Sequence, residues 1–141
     1  ISQEDEEKYV LYEGDIVFAR TGATTGKSYL IKNCPPGSVF ASYLIRVQPN
    51  DRVDSVYLSE FFQTRAYWSQ IMESKSGSTQ PGVNATKLSG LEVPLPEVSL
   101  QQEFAKIVQR YERLRAQQRE ALRQAENLFR SLLHAAFQGD L

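Results

Sequence analysis

The chain has 141 residues, a formal net charge of −1, and 41% hydrophobic, 23% charged and 11% aromatic residues. That length suits one small domain with an appendage, and the balance excludes a disordered tail, a collagen-like repeat and a disulfide scaffold. Cys34 is the single cysteine, so no internal disulfide is available, and a reducing, cytoplasmic setting is expected. No apolar run approaches the ~20 residues of a membrane span, and no signal-peptide pattern opens the chain, so no membrane partner is expected. The start at Ile1, without methionine, reads as a piece of something longer.

Charge is unevenly spread. Residues 1–15 hold Glu4, Asp5, Glu6, Glu7, Glu13 and Asp15 against Lys8 alone, whereas 16–99 and 100–141 are both mildly basic. This distribution permits a phosphate-bearing partner without requiring one.

Two unlike regions meet near Pro94–Glu97: an aromatic, β-rich stretch and then a single long helix. In chain order, the turn at Glu13-Gly14 leads into a short buried strand over Asp15–Arg20. The Gly22 to Gly26 segment punctuates it, and Ser28–Ile31 reads as a second strand. After the turn forced by Pro35-Pro36-Gly37, residues Val39, Ala41, Tyr43, Ile45 and Val47 alternate on one face of a third strand. Asp54 is placed to cap a helix running through Met72, whose aromatic residues Phe61, Phe62, Tyr67 and Trp68 read as core rather than as base-stacking groups. Glu73 to Lys87 reads as a polar loop, and Leu91–Val93 as a brief strand.

The helix then has a recognisable start and stop. Ser99 and Gln102 fit a capping box, and Gly139 is a natural stop after Gln138. At ~1.5 Å per residue it spans roughly 58 Å. Phe104, Ile107, Tyr111, Leu114, Gln118, Ala121, Ala125, Leu128, Leu132 and Ala135 recur at steps of three and four, with Gln118 as the polar exception and Leu122 and Phe129 among the residues that widen the stripe. A stripe of that length calls for a second helix, and the chain supplies none of matching length.

Gly22-Ala-Thr-Thr-Gly26-Lys27-Ser28 invites comparison with a phosphate-binding loop, but only three residues separate the first glycine from the Gly-Lys pair where that loop needs four. Pro35-Pro36 also follows too soon for the required helix. Two readings remain: a plain turn without a ligand, or a connection presenting Arg20, Thr21, Thr24, Thr25, Lys27 and Ser28 to phosphates and base edges. The same pair of readings, solvated loop or DNA contact, applies to Lys75, Ser76, Ser78, Thr79, Gln80, Asn84 and Lys87. His134 is the only histidine, with no neighbouring Cys or acidic cluster, so neither a zinc site nor a catalytic triad is expected.

The stretch GDIVFARTGATTGKSYLI (Gly14 to Ile31), the segment Leu91-Glu-Val-Pro-Leu-Pro96, and SLQQEFAKIV (Ser99 to Val108) running on to LFRSLLHAAFQGDL (Leu128 to Leu141) together resemble the specificity subunit of type I restriction–modification enzymes. The resemblance covers nearly the whole chain in the family's order. It implies a target recognition domain that reads one half of a split site in double-stranded DNA. It also implies a conserved helix that pairs antiparallel with another helix of the subunit and docks methyltransferase and restriction subunits.

The expectation is therefore an α+β chain: a small β-rich recognition domain with one packed helix over 1–98, N-terminally incomplete, followed by a long coiled-coil spacer helix over 99–141. The expected function is sequence-specific DNA recognition with no catalysis, cofactor or metal of its own. The helix would be paired within the subunit or with a second copy. The rival is a coiled-coil protein-interaction module with no direct DNA contact.

Overall fold

The computed structural model describes residues 9–73 and 82–139. Three short strands, β1 (Ile16–Ala19), β2 (Ser28–Leu30) and β3 (Leu44–Val47), form an antiparallel sheet in the order β2-β1-β3. Four helices follow: α1 (Ser55–Phe61), α2 (Arg65–Glu73), α3 (Ala85–Ser89) and α4 (Val98–Gln138). This is the expected α+β class. The described residues fall into two compact units, the first ending at Ala105 and the second beginning at Lys106.

The sheet is organised by β1. Phe18 sits opposite Ser28 on one side and Ile45 on the other, and Ile16 sits opposite Leu30 and Val47. Ile16 and Phe18 are fully buried, joined by Leu30, Leu58, Phe61, Phe62, Tyr67, Ile71 and Val83 in one apolar cluster. Phe18 meets Phe62 edge to face at 4.8 Å, and Tyr67 meets Phe62 at 5.3 Å. Burial of each such ring is worth ~1.5–3 kcal/mol, so the aromatic reading of this region as core holds.

Four sequence expectations are corrected. The third strand is not continuous from Val39. Val39 makes an isolated bridge with Val10, the chain turns where the Leu44 amide donates to Ala41, and only Leu44–Val47 pairs with β1. Ile45 and Val47 pack on the core, whereas Val39 and Tyr43 are exposed, so the five do not share one buried face.

The helix capped by Asp54 is two helices. Asp54 does accept from the amides of Val56 and Tyr57, at 2.9 and 3.0 Å. The break comes at Thr64, whose hydroxyl donates to the Phe61 carbonyl and also accepts from the Tyr67 amide. One side chain thus closes α1 and opens α2.

Leu91–Val93 forms no strand. Its polar backbone is answered by a side chain: Gln70 donates to the Glu92 carbonyl at 3.0 Å and accepts from the Glu92 amide at 2.8 Å. Leu91 and Val93 still pack on the apolar cluster.

α4 begins at Val98, one residue before the expected cap. The Glu97 carbonyl accepts from Leu100 and Gln101, and Gln102 is exposed rather than closing a capping box. The residue that anchors this end is Gln101, fully buried on the first turn. Its amide oxygen accepts from the Asp54 amide at 2.9 Å, and its nitrogen donates to the carbonyls of Pro96 and Arg52 at 2.8 and 3.2 Å. The first turns of α4 thereby belong to the sheet-bearing unit, and Phe104 packs edge to face on Tyr57 at 5.8 Å. At the other end Gly139 takes a positive φ of 79°, the expected stop.

Gln101→Leu keeps the volume but strips partners from one part-buried amide and two part-buried carbonyls, each costing towards the low end of ~1–3 kcal/mol when left unsatisfied. Urea denaturation of this variant should show a loss of ~2–4 kcal/mol. A loss under about 0.5 kcal/mol, the range of ordinary surface changes, would show the junction to be dispensable.

Candidate nucleic-acid interface

The polar residues singled out in the sequence gather, in part, at one end of the sheet. β1 leaves there after Ala19, while β2 and β3 enter there at Ser28 and Leu44. Arg20 ties three segments together at this point. Its amide donates to the Tyr43 carbonyl at 3.3 Å, its carbonyl accepts from the Val83 amide at 3.0 Å, and its guanidinium donates to the Ser42 carbonyl at 3.4 Å. The backbone at Val83 therefore lies beside the β1–β2 connection.

That connection is a tight structure. The Thr25 hydroxyl and amide both donate to the Gly22 carbonyl, the Gly26 amide to Ala19, and the Lys27 amide to Thr24. Gly22 and Gly26 have φ values of 82° and 86°, left-handed conformations that disfavour any side chain. At Gly26 space is short as well: a Cβ there would lie 3.1 Å from the Trp68 ring. The Gly26 carbonyl accepts the Tyr67 hydroxyl at 2.6 Å inside the core. Burial pushes the Tyr67 phenol from its ordinary 10.0 up to about 12, so it remains a protonated donor at physiological pH.

The structure sorts the expected contact residues by availability. Arg20, Thr21, Thr24 and Lys27 are exposed, and Thr25 is half-buried with its hydroxyl engaged. Ser28 is half-buried and accepts from the Gln63 side chain at 3.1 Å. Asn84, expected to face a ligand, caps α3 by accepting from the Lys87 amide at 2.9 Å. The Lys87 ammonium donates to the Gly82 carbonyl at 3.0 Å, which holds it near the same sheet end. Lys75, Ser76, Ser78, Thr79 and Gln80 lie outside the described residues.

Sequence reading missed Ser42 and Tyr43. Both are exposed in the turn that Arg20 engages, Tyr43 by 66%. The only signal was Ala41-Ser42-Tyr43 itself, hidden inside an apparent strand alternation.

The opposite end of the sheet has the opposite character. A cleft of about 360 Å³ there is lined by Glu13, Asp15, Asp51 and Asp54, together with Asn50, Ser55 and others. Asp15 is buried, accepts from the Tyr12 amide, and lies 3.9 Å from the Arg46 guanidinium. Arg20, Lys27 and Lys87 thus stand at one end of the sheet and these carboxylates at the other. Among the described residues no group of His, Cys, Asp and Glu is arranged to hold a metal ion.

The expected pairing residues of α4 from Ile107 to Leu132 are all exposed, and His134 is exposed as well. Beyond Ala105 only Val108 and Ala135 among the described residues are even half-buried. The polar face is supported internally: Glu120 pairs with Arg123 at 2.8 Å, and hydrogen bonds from Arg123 and Gln124 hold its carboxyl below the usual carboxylate value. No helix among the described residues is long and apolar enough to cross a membrane.

Comparison with known proteins identifies the family of the chain. The family described as the type I restriction modification DNA specificity domain matches residues 1–124, covering the sheet-bearing unit and about two thirds of the long helix. The chain belongs to that family. It is also similar to the "Putative type I restriction enzyme MjaX specificity subunit" of Methanocaldococcus jannaschii, with 29% identity over 120 residues, or 81% of this chain. The match spans 28% of that relative's length.

The two loop glycines separate strain from space. Gly22→Ala meets no atom within 4 Å and should cost only the ~1–2 kcal/mol of a left-handed backbone. Gly26→Ala adds the collision with Trp68 and should cost measurably more. Thermal melts of the two variants check this, and equal losses would mean that Trp68 yields freely.

Proposed function

We propose that this chain is part of the specificity subunit of a type I restriction–modification complex and that it reads double-stranded DNA without catalysing a reaction. The observation that carries the proposal is the family match across both the sheet-bearing unit and α4. The exposed Arg20, Thr21, Thr24 and Lys27, with Lys87 alongside, support a DNA-facing role for this end of the sheet. Thr25 and Ser28 would act mainly by shaping the loop, since their hydroxyls are already engaged. Lys75, Ser76, Ser78, Thr79 and Gln80 belong to the same proposed surface by sequence. Asn84 contributes by capping α3.

In this reading, domain 1–98 recognises the DNA and helix 99–141 pairs and docks. The methyltransferase and restriction subunits carry the chemistry and its cofactors, and the complex works in the cytoplasm. Affinity should come chiefly from phosphate contacts, and specificity from contacts to base edges. The alternative of an interaction module without DNA contact predicts no such salt dependence.

Duplex binding by the full-length protein, titrated against salt, separates the two. Gln80→Ala should lose ~1–3 kcal/mol on the cognate duplex and far less on random sequence if it is bidentate to a base. Equal loss on both duplexes would rule out base reading at Gln80, and salt-independent binding would rule out phosphate contact altogether.

The exposed stripe on α4 yields a second test. Leu114, Leu122, Leu128, Phe129 and Leu132 are 47% to 62% exposed, and a partner helix would recover ~1.5–3 kcal/mol for each when fully covered. Leu114→Glu with Leu128→Glu should abolish self-association while leaving the sheet-bearing unit folded. If sedimentation velocity finds this chain monomeric at tens of micromolar before any substitution, pairing between copies is excluded for it.

A further inference from the structure

We infer that Tyr67 is a positioning residue for DNA contact, holding the β1–β2 connection in the one shape that presents Lys27 to a phosphate. The inference rests on the DNA reading proposed above and goes beyond it by assigning a role to a residue that no nucleic acid touches. Tyr67 is fully buried, so it cannot be a contact residue itself. Its ring is fixed by Phe62 at 5.3 Å and Trp68 at 5.2 Å, with Phe18 and Phe61 farther out. Four aromatic neighbours leave the hydroxyl little freedom, and it spends its proton on the Gly26 carbonyl.

That carbonyl is a strategic place to hold. Gly26 stands in a left-handed conformation immediately before Lys27, and the Lys27 amide and carbonyl are both engaged within the connection, with Thr24 and Ala19. The direction in which Lys27 leaves the chain is therefore set by the peptide whose oxygen Tyr67 holds. Trp68, the next residue on α2, limits the same glycine, with ring atoms 3.1 and 3.3 Å from where a Cβ would stand. A hydroxyl and an indole on one helix thus fix both the position and the rotation of this peptide. An exposed connection of this length, anchored only by its own turn bonds, would otherwise order itself at the moment of binding and weaken it.

Tyr67→Phe removes the hydroxyl and leaves the ring, and Lys27→Ala removes the proposed phosphate contact. In the full-length protein, either change should weaken binding to cognate and random duplexes about equally, by about tenfold, and make the salt dependence shallower by about one unit of slope. Because both act on the same contact, the double variant should be no more than about twofold worse than either single one. Amide hydrogen exchange on the free protein should show faster exchange at Gly26 and Lys27 in Tyr67→Phe, with Ile16 and Phe18 still protected.

A merely structural tyrosine gives a different pattern: additive losses and an unchanged salt slope, which would overturn the inference. So would Tyr67→Phe binding like the unaltered protein while Lys27→Ala is impaired, an outcome that leaves the DNA reading standing. Loss of protection at Ile16 and Phe18 in Tyr67→Phe would make Tyr67 a core prop and overturn it too. If Lys27→Ala itself changes nothing, the reading of this sheet end as the DNA-facing surface fails, and the inference fails with it.

Discussion

β1 has four residues, and the sheet-bearing unit depends on burying them from both sides. Ile16 and Phe18 are fully buried, Val17 nearly so, and each edge of the strand is occupied by a neighbour of three or four residues. Ladders this short are marginal by themselves, because a few hydrogen bonds exchanged against water do not offset the entropy of ordering the chain. The aromatic cluster supplies the difference. Phe18 points into Phe62 and Tyr67, and through them the sheet is joined to both α1 and α2. A connection that leaves β1 at Ala19 therefore departs from a fixed point, which is why a loop with two glycines can be specific in shape.

Polar side chains complete what the short elements leave open. Gln101 satisfies one amide and two carbonyls at the base of α4, and Gln70 pairs with both backbone groups of Glu92 much as a neighbouring strand would. Asn84 and Thr64 do the same for helix ends. Buried or partly buried backbone groups must find partners, and a chain with little regular sheet must draw them from side chains. Among the described residues no buried side-chain nitrogen or oxygen lacks a hydrogen bond. Residues of this kind look like surface composition in a sequence, although they carry the architecture.

That difference explains which features were legible beforehand. β1, β2, the Asp54 cap, the aromatic core and the Gly139 stop all follow from local rules, in which a residue's role is decided by its immediate neighbours in sequence. The split at Thr64, the non-strand at Leu91–Val93 and the anchor at Gln101 depend on partners 3, 22 and 47 residues away. Thr64 was the most accessible of these, because a threonine three residues before Tyr67 can cap a helix. Gln101 was not, since one of two adjacent glutamines on a helix becomes a buried junction only once Asp54 and Pro96 are placed around it. Of the candidate contact residues, Arg20, Thr21, Thr24 and Lys27 are exposed, while the engagement of Ser28 and Asn84 required the fold.

α4 shows the converse case, in which local sequence settles shape but leaves burial open. Its run of Leu, Ala, Arg, Gln and Glu is helical by propensity alone, and the Glu120–Arg123 pair adds a little more support of the same local kind. Nothing in that reasoning requires the apolar stripe. Had the helix needed only to exist, positions such as Leu114, Leu122 and Leu128 could have been polar at no loss of helicity. Their retention along an exposed face is therefore a statement about covering, a tertiary or quaternary matter, and Gln118 within the stripe is the type of residue that fixes register where two helices meet. The two units thus present unlike surfaces: a small polar, cationic sheet end held by a buried core, and a long apolar line exposed along α4.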